Sequence, residues 1–184
     1  IRRSLNTFMN AFTASDWPAY PFASQNRQDF DNLLQVYLDA VFFPHIHPLD
    51  FAQEGIRIEP TADGQALVYK GVVFNEMKGA LSSAHSILNE SLNKYLFPTT
   101  TYHHNSGGDP AHIPDLTHEA LKAFHGKHYH PSNAVFMTFG DSQPLDLQTR
   151  FEDLALARFT GVAEPVHGRD EKRYVAPLRV EEAY

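Results

Sequence analysis

Glu76 is the residue whose surroundings in the sequence most favour a chemical role. Its neighbours at i−4, i−3 and i+4 on a helix would be Val72, Val73 and Ala80, which are all apolar. The carboxylate is therefore expected at the margin of an apolar stripe, where desolvation is costly unless a cation, a metal ion or a donor compensates it. The pattern predicts either a metal-ligating Glu76 or a side chain at the stripe edge that reaches water or an arginine.

Histidine is the second residue type that could carry chemistry, with 11 in the chain. His125 and His128 are spaced i, i+3 and His130 follows closely, so the three could hold zinc together with a further ligand. They also come at the end of a predicted helix, where the helix dipole favours histidine. From the residues alone, a metal site and helix-end packing both stay open. Two local pairs in loops are weaker candidates: His45 with His47, and His103 with His104.

Several other kinds of site lack their sequence patterns. The chain has no cysteine, so disulfides and thiolate chemistry are excluded and a metal must be held by His, Asp or Glu. No P-loop, G-x-G-x-x-G or G-x-S-x-G pattern occurs. A net charge of −7 without a concentrated basic cluster argues against nucleic acid as a partner. No apolar run approaches the roughly 20 residues of a membrane-spanning helix, so no membrane partner is expected.

The elements that must position these residues are helices separated by short strands. Two aromatic runs, Phe8 to Ser15 and Ala19 to Gln25, flank Asp16-Trp17-Pro18 and predict a β-hairpin. Apolar spacing predicts helices over 30–42, 48–56, 72–96, 114–125 and 144–159, and strands over 66–70 and 133–139. This order predicts an α+β fold, with helices packed on one face of a mostly antiparallel sheet.

Five stretches, taken in order, resemble the presequence protease group of the pitrilysin/insulinase superfamily of metallopeptidases. They are Asn10-Ala11-Phe12-Thr13-Ala14-Ser15-Asp16, Gln53-Glu54-Gly55, Lys70-Gly71-Val72-Val73-Phe74-Asn75-Glu76-Met77-Lys78-Gly79, Ser106-Gly107-Gly108-Asp109-Pro110, and Phe124-His125 through Tyr129-His130-Pro131-Ser132-Asn133. Each stretch alone is weak, whereas five in this order are specific. The resemblance implies that residues 1–160 are part of an N-terminal catalytic peptidase domain, a partial pitrilysin-type domain. Residues 161–184 are polar, contain proline and glycine, and are expected to be a linker or the start of the next domain.

The resemblance implies a zinc peptidase with an inverted motif, H-x-x-E-H, whose histidines bind zinc and whose glutamate is the general base. Glu76 matches the third zinc ligand of the family. The H-x-x-E-H motif does not occur in this sequence, and its place in the family is just upstream of Ile1. No catalytic residue is therefore expected in this chain, and the chain alone is expected to be inactive and not to retain zinc. The resemblance assigns His125, His128 and His130 to a junction between a helix and a strand.

The hairpin has a second implied role. In the family, the strand that matches Asn10, Ala11, Phe12 and Thr13 is an open edge on which an extended peptide substrate pairs as an added strand. An ordinary core strand would look similar in sequence. The implied activity is that of a metalloendopeptidase that degrades short unstructured peptides, such as cleaved targeting peptides, by attack of zinc-activated water.

The partners implied are unfolded peptide substrates and the remaining domains of a parent chain. Two alternatives stay open: a non-catalytic superfamily member with a structural role, and a metal-binding domain built on His125, His128 and His130. The location is also open, because the resemblance implies the cytoplasm for a bacterial protein and the mitochondrial matrix or plastid for a eukaryotic one.

Overall fold

The computed structural model describes residues 4–161 and 168–181, which fall into two units. Within the described residues, unit 1 contains 4–12, 18–46 and 119–161, and unit 2 contains 13–17, 47–118 and 168–181. The helices are α1 (Arg27–Phe42), α2 (Pro48–Asp50), α3 (Val72–Ala80), α4 (Ala84–Leu96), α5 (His118–His128) and α6 (Pro144–Leu154). The strands are β1 (Phe8–Met9), β2 (Phe12–Thr13), β3 (Pro18–Ala19), β4 (Phe22–Ala23), β5 (Arg57–Pro60) and β6 (Leu67–Lys70). No helix in these described ranges is long and apolar enough to cross a membrane.

The first four strands confirm the predicted hairpin. β1 pairs antiparallel with β4, and β2 pairs with β3. The amide of Thr7 donates to the carbonyl of Ala23 at 2.8 Å, so pairing continues beyond the short strands. Pro18 and Pro21 have no N–H to donate, so the arm 18–23 lacks two backbone donors. The arm 8–13 contains no proline.

Unit 1 is built on α1, which confirms the predicted helix and begins three residues before Phe30. The side chain of Asn26 caps its start by accepting from the amide of Asp29 at 3.0 Å. One face buries four side chains: Leu33, Leu34, Leu38 and Phe42. The last three of these pack with Leu147 of α6 and with Ala155 to form the core of this unit.

The core of unit 2 brings together Ile56, Met77 and Ile113, each at most 9% exposed. Beside it, β5 pairs antiparallel with β6. On this pair the carboxylate of Glu59 accepts from Arg57 Nε at 2.6 Å and lies 3.1 Å from Lys70 Nζ. The two cations hold the pKa of Glu59 below its usual range.

The α+β class is confirmed, and the strands of the described residues pair only in twos.

The prediction of one helix over 72–96 is wrong, because α3 ends at Ala80 and α4 begins at Ala84. The serines between them explain the break: Ser83 caps α4 by accepting from the amide of Ser86 at 3.1 Å, and the Ser82 hydroxyl donates to the carbonyl of Gly79 at 2.7 Å.

The helix predicted over 114–125 is α5, which begins at His118 and ends at His128, and the helix predicted over 144–159 is α6, which ends at Leu154. Two further predicted elements differ from the structure in kind. The predicted helix over 48–56 is the single turn α2 followed by a wider π-helical turn, Phe51–Gly55. The predicted strand over 133–139 is absent, because a short 3-10 helix, Pro131–Asn133, is followed by residues with no neighbouring strand in the described chain. β5 was not predicted, since Pro60 interrupts a run of only four residues.

Candidate functional site

Glu76 lies in the middle of α3 with its side chain exposed to solvent. Within the described parts of the chain, its carboxylate has no hydrogen bond and no ion pair. The expectation of a desolvated carboxylate is wrong, because Val72 and Val73 are themselves 51% and 37% exposed. α3 instead buries Met77, with Phe74 partly buried beside it. The carboxylate of Glu76 is therefore available to a ligand that approaches from solvent.

Close backbone contacts fix the helix that carries Glu76. Gly71 precedes α3 and is buried; a Cβ at this position would overlap the carbonyl of Gly55 and lie 3.1 Å from Cα of Ile56. Gly107 lies against the side chain of Met77, so closely that a methyl group there would overlap the sulfur. Both glycines let α3 approach its neighbours more closely than any other residue would allow.

The loop with the Ser106-Gly107-Gly108 run is a tight turn, in which the amide of Gly108 donates to the carbonyl of Asn105 at 3.0 Å. Gly108 has φ +91°, a left-handed conformation that favours glycine, so this run is a turn and not a phosphate-binding loop. The role of Gly107 in seating Met77, the residue next to Glu76, could not be read from the sequence. The paired glycines were the only signal for it.

The donor atoms of the described residues do not form a zinc site by themselves. A protein zinc site needs three or four His, Cys, Asp or Glu ligands. No group of three or more such side chains that could hold a metal ion occurs in residues 4–161 and 168–181. Glu76 can supply one ligand, and a complete set would need at least two more from outside the described residues.

The three clustered histidines contact different partners. Nε2–H of His125 donates to the carbonyl of Val41 at 2.8 Å, and its ring stacks on Tyr129 at 4.5 Å. The ring of His128 lies 4.5 Å from that of Phe124. Nδ1 of His130 accepts from the amide of Ser132 at 3.1 Å and caps the 3-10 helix that follows. These contacts favour helix-end packing over a shared metal.

A shallow apolar cavity of about 280 Å³ lies beside His125 in unit 1. At its rim the hydroxyls of Tyr20 and Tyr129 are 2.7 Å apart. Burial and this hydrogen bond raise the pKa of Tyr20 well above its ordinary value, so the phenol stays protonated. The lining of the cavity is mostly apolar, and its imidazole, that of His125, donates Nε2–H to the carbonyl of Val41.

Asn10, Ala11, Phe12 and Thr13 are all exposed in this chain. The backbone of Asn10 is held on both sides. Its amide donates to the carbonyl of Pro21 at 3.0 Å, and its carbonyl accepts from the hydroxyl of Tyr37 at 3.3 Å. The amide of Ala11 donates to Oδ1 of Asn10 at 2.8 Å. The side chain of Asn10 thus occupies the amide of Ala11, a backbone donor that an added strand would use.

Curated relatives match this chain along most or all of its length. "Presequence protease, mitochondrial" of Xenopus tropicalis is 49% identical over 181 residues, which cover 96% of this chain and 18% of the relative. The protein of the same name from Danio rerio is 54% identical over 162 residues, 86% of this chain and 16% of the relative. "Presequence protease 1, chloroplastic/mitochondrial" of Arabidopsis thaliana is 43% identical over 100% of this chain and 17% of its own length. The chain thus spans less than a fifth of these relatives, and no protein-family model matches it.

Proposed function

The chain belongs to the presequence protease group of the pitrilysin/insulinase superfamily, and on that premise we propose that it forms part of a zinc metalloendopeptidase that degrades short unstructured peptides. The observation that carries the proposal is the identity of 43–54% to proteins named presequence protease. The relatives' names also support a location in mitochondria or plastids for the complete protein.

Glu76 is proposed as one zinc ligand of the complete protein. Two features of this chain support that role: the carboxylate is exposed, and no cation or donor in the described residues engages it. Gly71 and Gly107 let α3 pack closely against its neighbours, which fixes the backbone that carries Glu76. When bound, zinc polarises a peptide carbonyl and lowers the pKa of a coordinated water. In this chain Glu76 would bind and orient the metal, and the general base would come from elsewhere in the complete protein.

The decisive experiment compares zinc content and peptide cleavage for the full-length protein and its Glu76→Gln variant. Loss of an outer-shell partner already costs about 10–100-fold in metal affinity, so loss of a direct ligand should cost at least about 100-fold. Glu152→Gln is the matched control, because Glu152 is also an exposed helical glutamate.

Cleavage and zinc that survive Glu76→Gln would refute the assignment of Glu76 while keeping the peptidase proposal. A full-length protein that binds no zinc and cleaves no unfolded peptide would refute the peptidase proposal. It would favour the alternative of a non-catalytic superfamily member. The 184-residue chain is expected to bind no zinc in either form.

The hairpin arm 8–13 is proposed as the strand on which the peptide pairs. Its support is the exposure of Asn10–Thr13 and the absence of proline from this arm. A peptide that pairs there must displace Oδ1 of Asn10 from the amide of Ala11. In the full-length protein, Asn10→Ala should therefore lower the KM for an unfolded peptide by about 2- to 5-fold, the equivalent of roughly 0.5–1 kcal/mol for one hydrogen bond. An unchanged KM would show that the peptide does not pair with the amide of Ala11.

A further inference from the structure

The tip of the hairpin, between β2 and β3, is held by two side chains that lie far from it in the sequence. The hydroxyl of Thr101 donates to the carbonyl of Ser15 at 2.7 Å, and the hydroxyl of Tyr102 donates to Oδ2 of Asp16 at 2.6 Å. The bond from Asp16 and its negative charge raise the pKa of Tyr102 above its ordinary value, so the phenol keeps its proton and donates. One bond to the backbone and one to a carboxylate together fix the position of the tip.

The segment 101–107, which provides these two donors, is itself attached to α4. Nδ2–H of Asn105 donates to Oε2 of Glu90 at 2.9 Å. Oδ1 of the same asparagine accepts from the amide of Gly107 at 2.9 Å, which closes a turn within the segment. The side chain of Asn105 therefore ties the backbone of this segment to the preceding helix.

At its other end, the segment 101–107 contacts the helix that carries Glu76. Gly107 lies against the sulfur of Met77, which follows Glu76 on α3. Met77 is only 8% exposed and belongs to the core of unit 2, so this contact is with a fixed part of the helix. One short segment thus contacts both the hairpin tip and α3.

We infer that residues 101–107 hold the hairpin tip in a fixed position relative to α3, and that Tyr102 is thereby a positioning residue for peptide cleavage. The inference rests on the proposed function, because it needs both the peptide strand and the metal ligand Glu76. The tip is continuous with Thr13, so a displaced tip displaces the end of the proposed peptide strand. Backbone pairing of a peptide survives such a shift, whereas a misplacement of about 1 Å from a catalytic group can lower the rate about 100-fold.

The first arm of the test compares kcat and KM for an unfolded peptide between the full-length protein and its Tyr102→Phe variant, at equal zinc content per chain. The substitution keeps the ring, which lies 5.4 Å from that of Phe97, and removes only the hydroxyl. We expect kcat to fall about 10-fold or more while KM stays nearly unchanged. Tyr174→Phe is the matched control, because the Tyr174 hydroxyl donates to the carbonyl of Tyr95 at 2.7 Å and not to the tip. It should leave kcat unchanged.

Substitutions at Asp16 test whether the bond itself acts. Asp16→Asn keeps an oxygen that accepts from Tyr102 and should retain most of the kcat. Asp16→Ala removes the acceptor and should lower kcat as much as Tyr102→Phe does. The double variant should be no slower than either single one, since both remove the same bond. Losses that simply add would overturn the inference.

Hydrogen exchange of the full-length protein provides a readout that depends on neither zinc nor cleavage. The amide of Ala14 donates to the carbonyl of Trp17 at 2.9 Å and reports on order at the tip. In Tyr102→Phe this amide should exchange about 2- to 10-fold faster, the effect of one lost hydrogen bond, and in Tyr174→Phe it should exchange as in the wild type.

Two results for Tyr102→Phe would overturn the inference: unchanged exchange at Ala14, or faster exchange with an unchanged kcat or with a rise in KM alone. The second result would leave the bond from Tyr102 to Asp16 as a structural contact only. A wild-type full-length protein that is protected at Ala14 but cleaves no unfolded peptide would refute the proposed function, and the positioning role with it.

Discussion

Replacing Gly71 with alanine tests whether steric contact holds α3, and with it Glu76, in place. Gly71 has φ 169° and ψ 152°, an extended conformation that any residue adopts, so alanine introduces no backbone strain. A methyl group would overlap the carbonyl oxygen of Gly55, and it would lie 2.6 Å from the carbonyl carbon and 3.1 Å from Cα of Ile56. All three are backbone atoms, so the overlap is relieved only if the start of α3 or the turn before β5 moves.

Overpacking of a close-packed site typically costs about 1–3 kcal/mol, and a clash with backbone belongs at the upper end of that range. Gly71→Ala should therefore lower the free energy of unfolding of the 184-residue chain by about 3 kcal/mol. Urea denaturation at 25 °C, followed by circular dichroism, measures this change.

Gly79→Ala is the control, because Gly79 lies inside α3 with nothing within 4 Å of the added Cβ. Alanine is the better helix former, so this variant should be more stable than the wild type by about 0.5–1 kcal/mol. The two changes add the same methyl group to the same short segment and should have opposite signs. If Gly71→Ala stays within about 0.5 kcal/mol of the wild type, the contact with Gly55 does not fix this helix.

Three further changes test other parts of the structure. Leu33→Ala removes a side chain only 1% exposed and should lower the free energy of unfolding by about 2–5 kcal/mol in urea denaturation. Tyr37→Phe removes the hydrogen bond to the carbonyl of Asn10, and it should speed amide exchange in the hairpin at a cost of about 1 kcal/mol. The carboxylate of Glu171 accepts from the amide and hydroxyl of Thr99 at 2.9 and 2.7 Å; partial desolvation raises its pKa, but these bonds lower it on balance. This contact therefore stabilises the fold above the ordinary glutamate pKa and is lost as the pH falls through the lowered one. Hydrogen exchange of the Thr99 amide should therefore accelerate as the pH falls from the ordinary glutamate pKa through the lowered pKa of Glu171. Glu171→Gln should abolish this pH-dependent acceleration.

The sequence predicted those elements whose signal lies within the element itself. α1 followed from its apolar spacing, and the hairpin from two aromatic runs around Asp16-Trp17-Pro18. The break between α3 and α4 was missed, because apolar spacing runs through it and two serine side-chain bonds decide it. The strand over 133–139 was wrong for a different reason: alternation shows which side chains share a face but supplies no neighbouring strand.

For the candidate site, too, the sequence predicted one property of Glu76 correctly and another wrongly. Glu76 was selected by its place in a motif, and the structure keeps it on a helix with a free carboxylate. Its burial was mispredicted, because the stripe that α3 buries runs through Met77 and leaves Val72 and Val73 exposed. Local spacing gives the faces of a helix, whereas which face is buried depends on residues distant in sequence, such as Ile113.

The two prolines of the hairpin make its two edges unequal as templates for an added strand. The arm 8–13 has an N–H group at every residue, although that of Ala11 donates to Oδ1 of Asn10. The arm 18–23 lacks the N–H groups of Pro18 and Pro21 and is the poorer template for an added strand. If a peptide pairs on the arm 8–13, as proposed above, the edge left at 18–23 is a poor template for a second strand. The proposed site would then discourage growth of a bound peptide into a fibre across this hairpin.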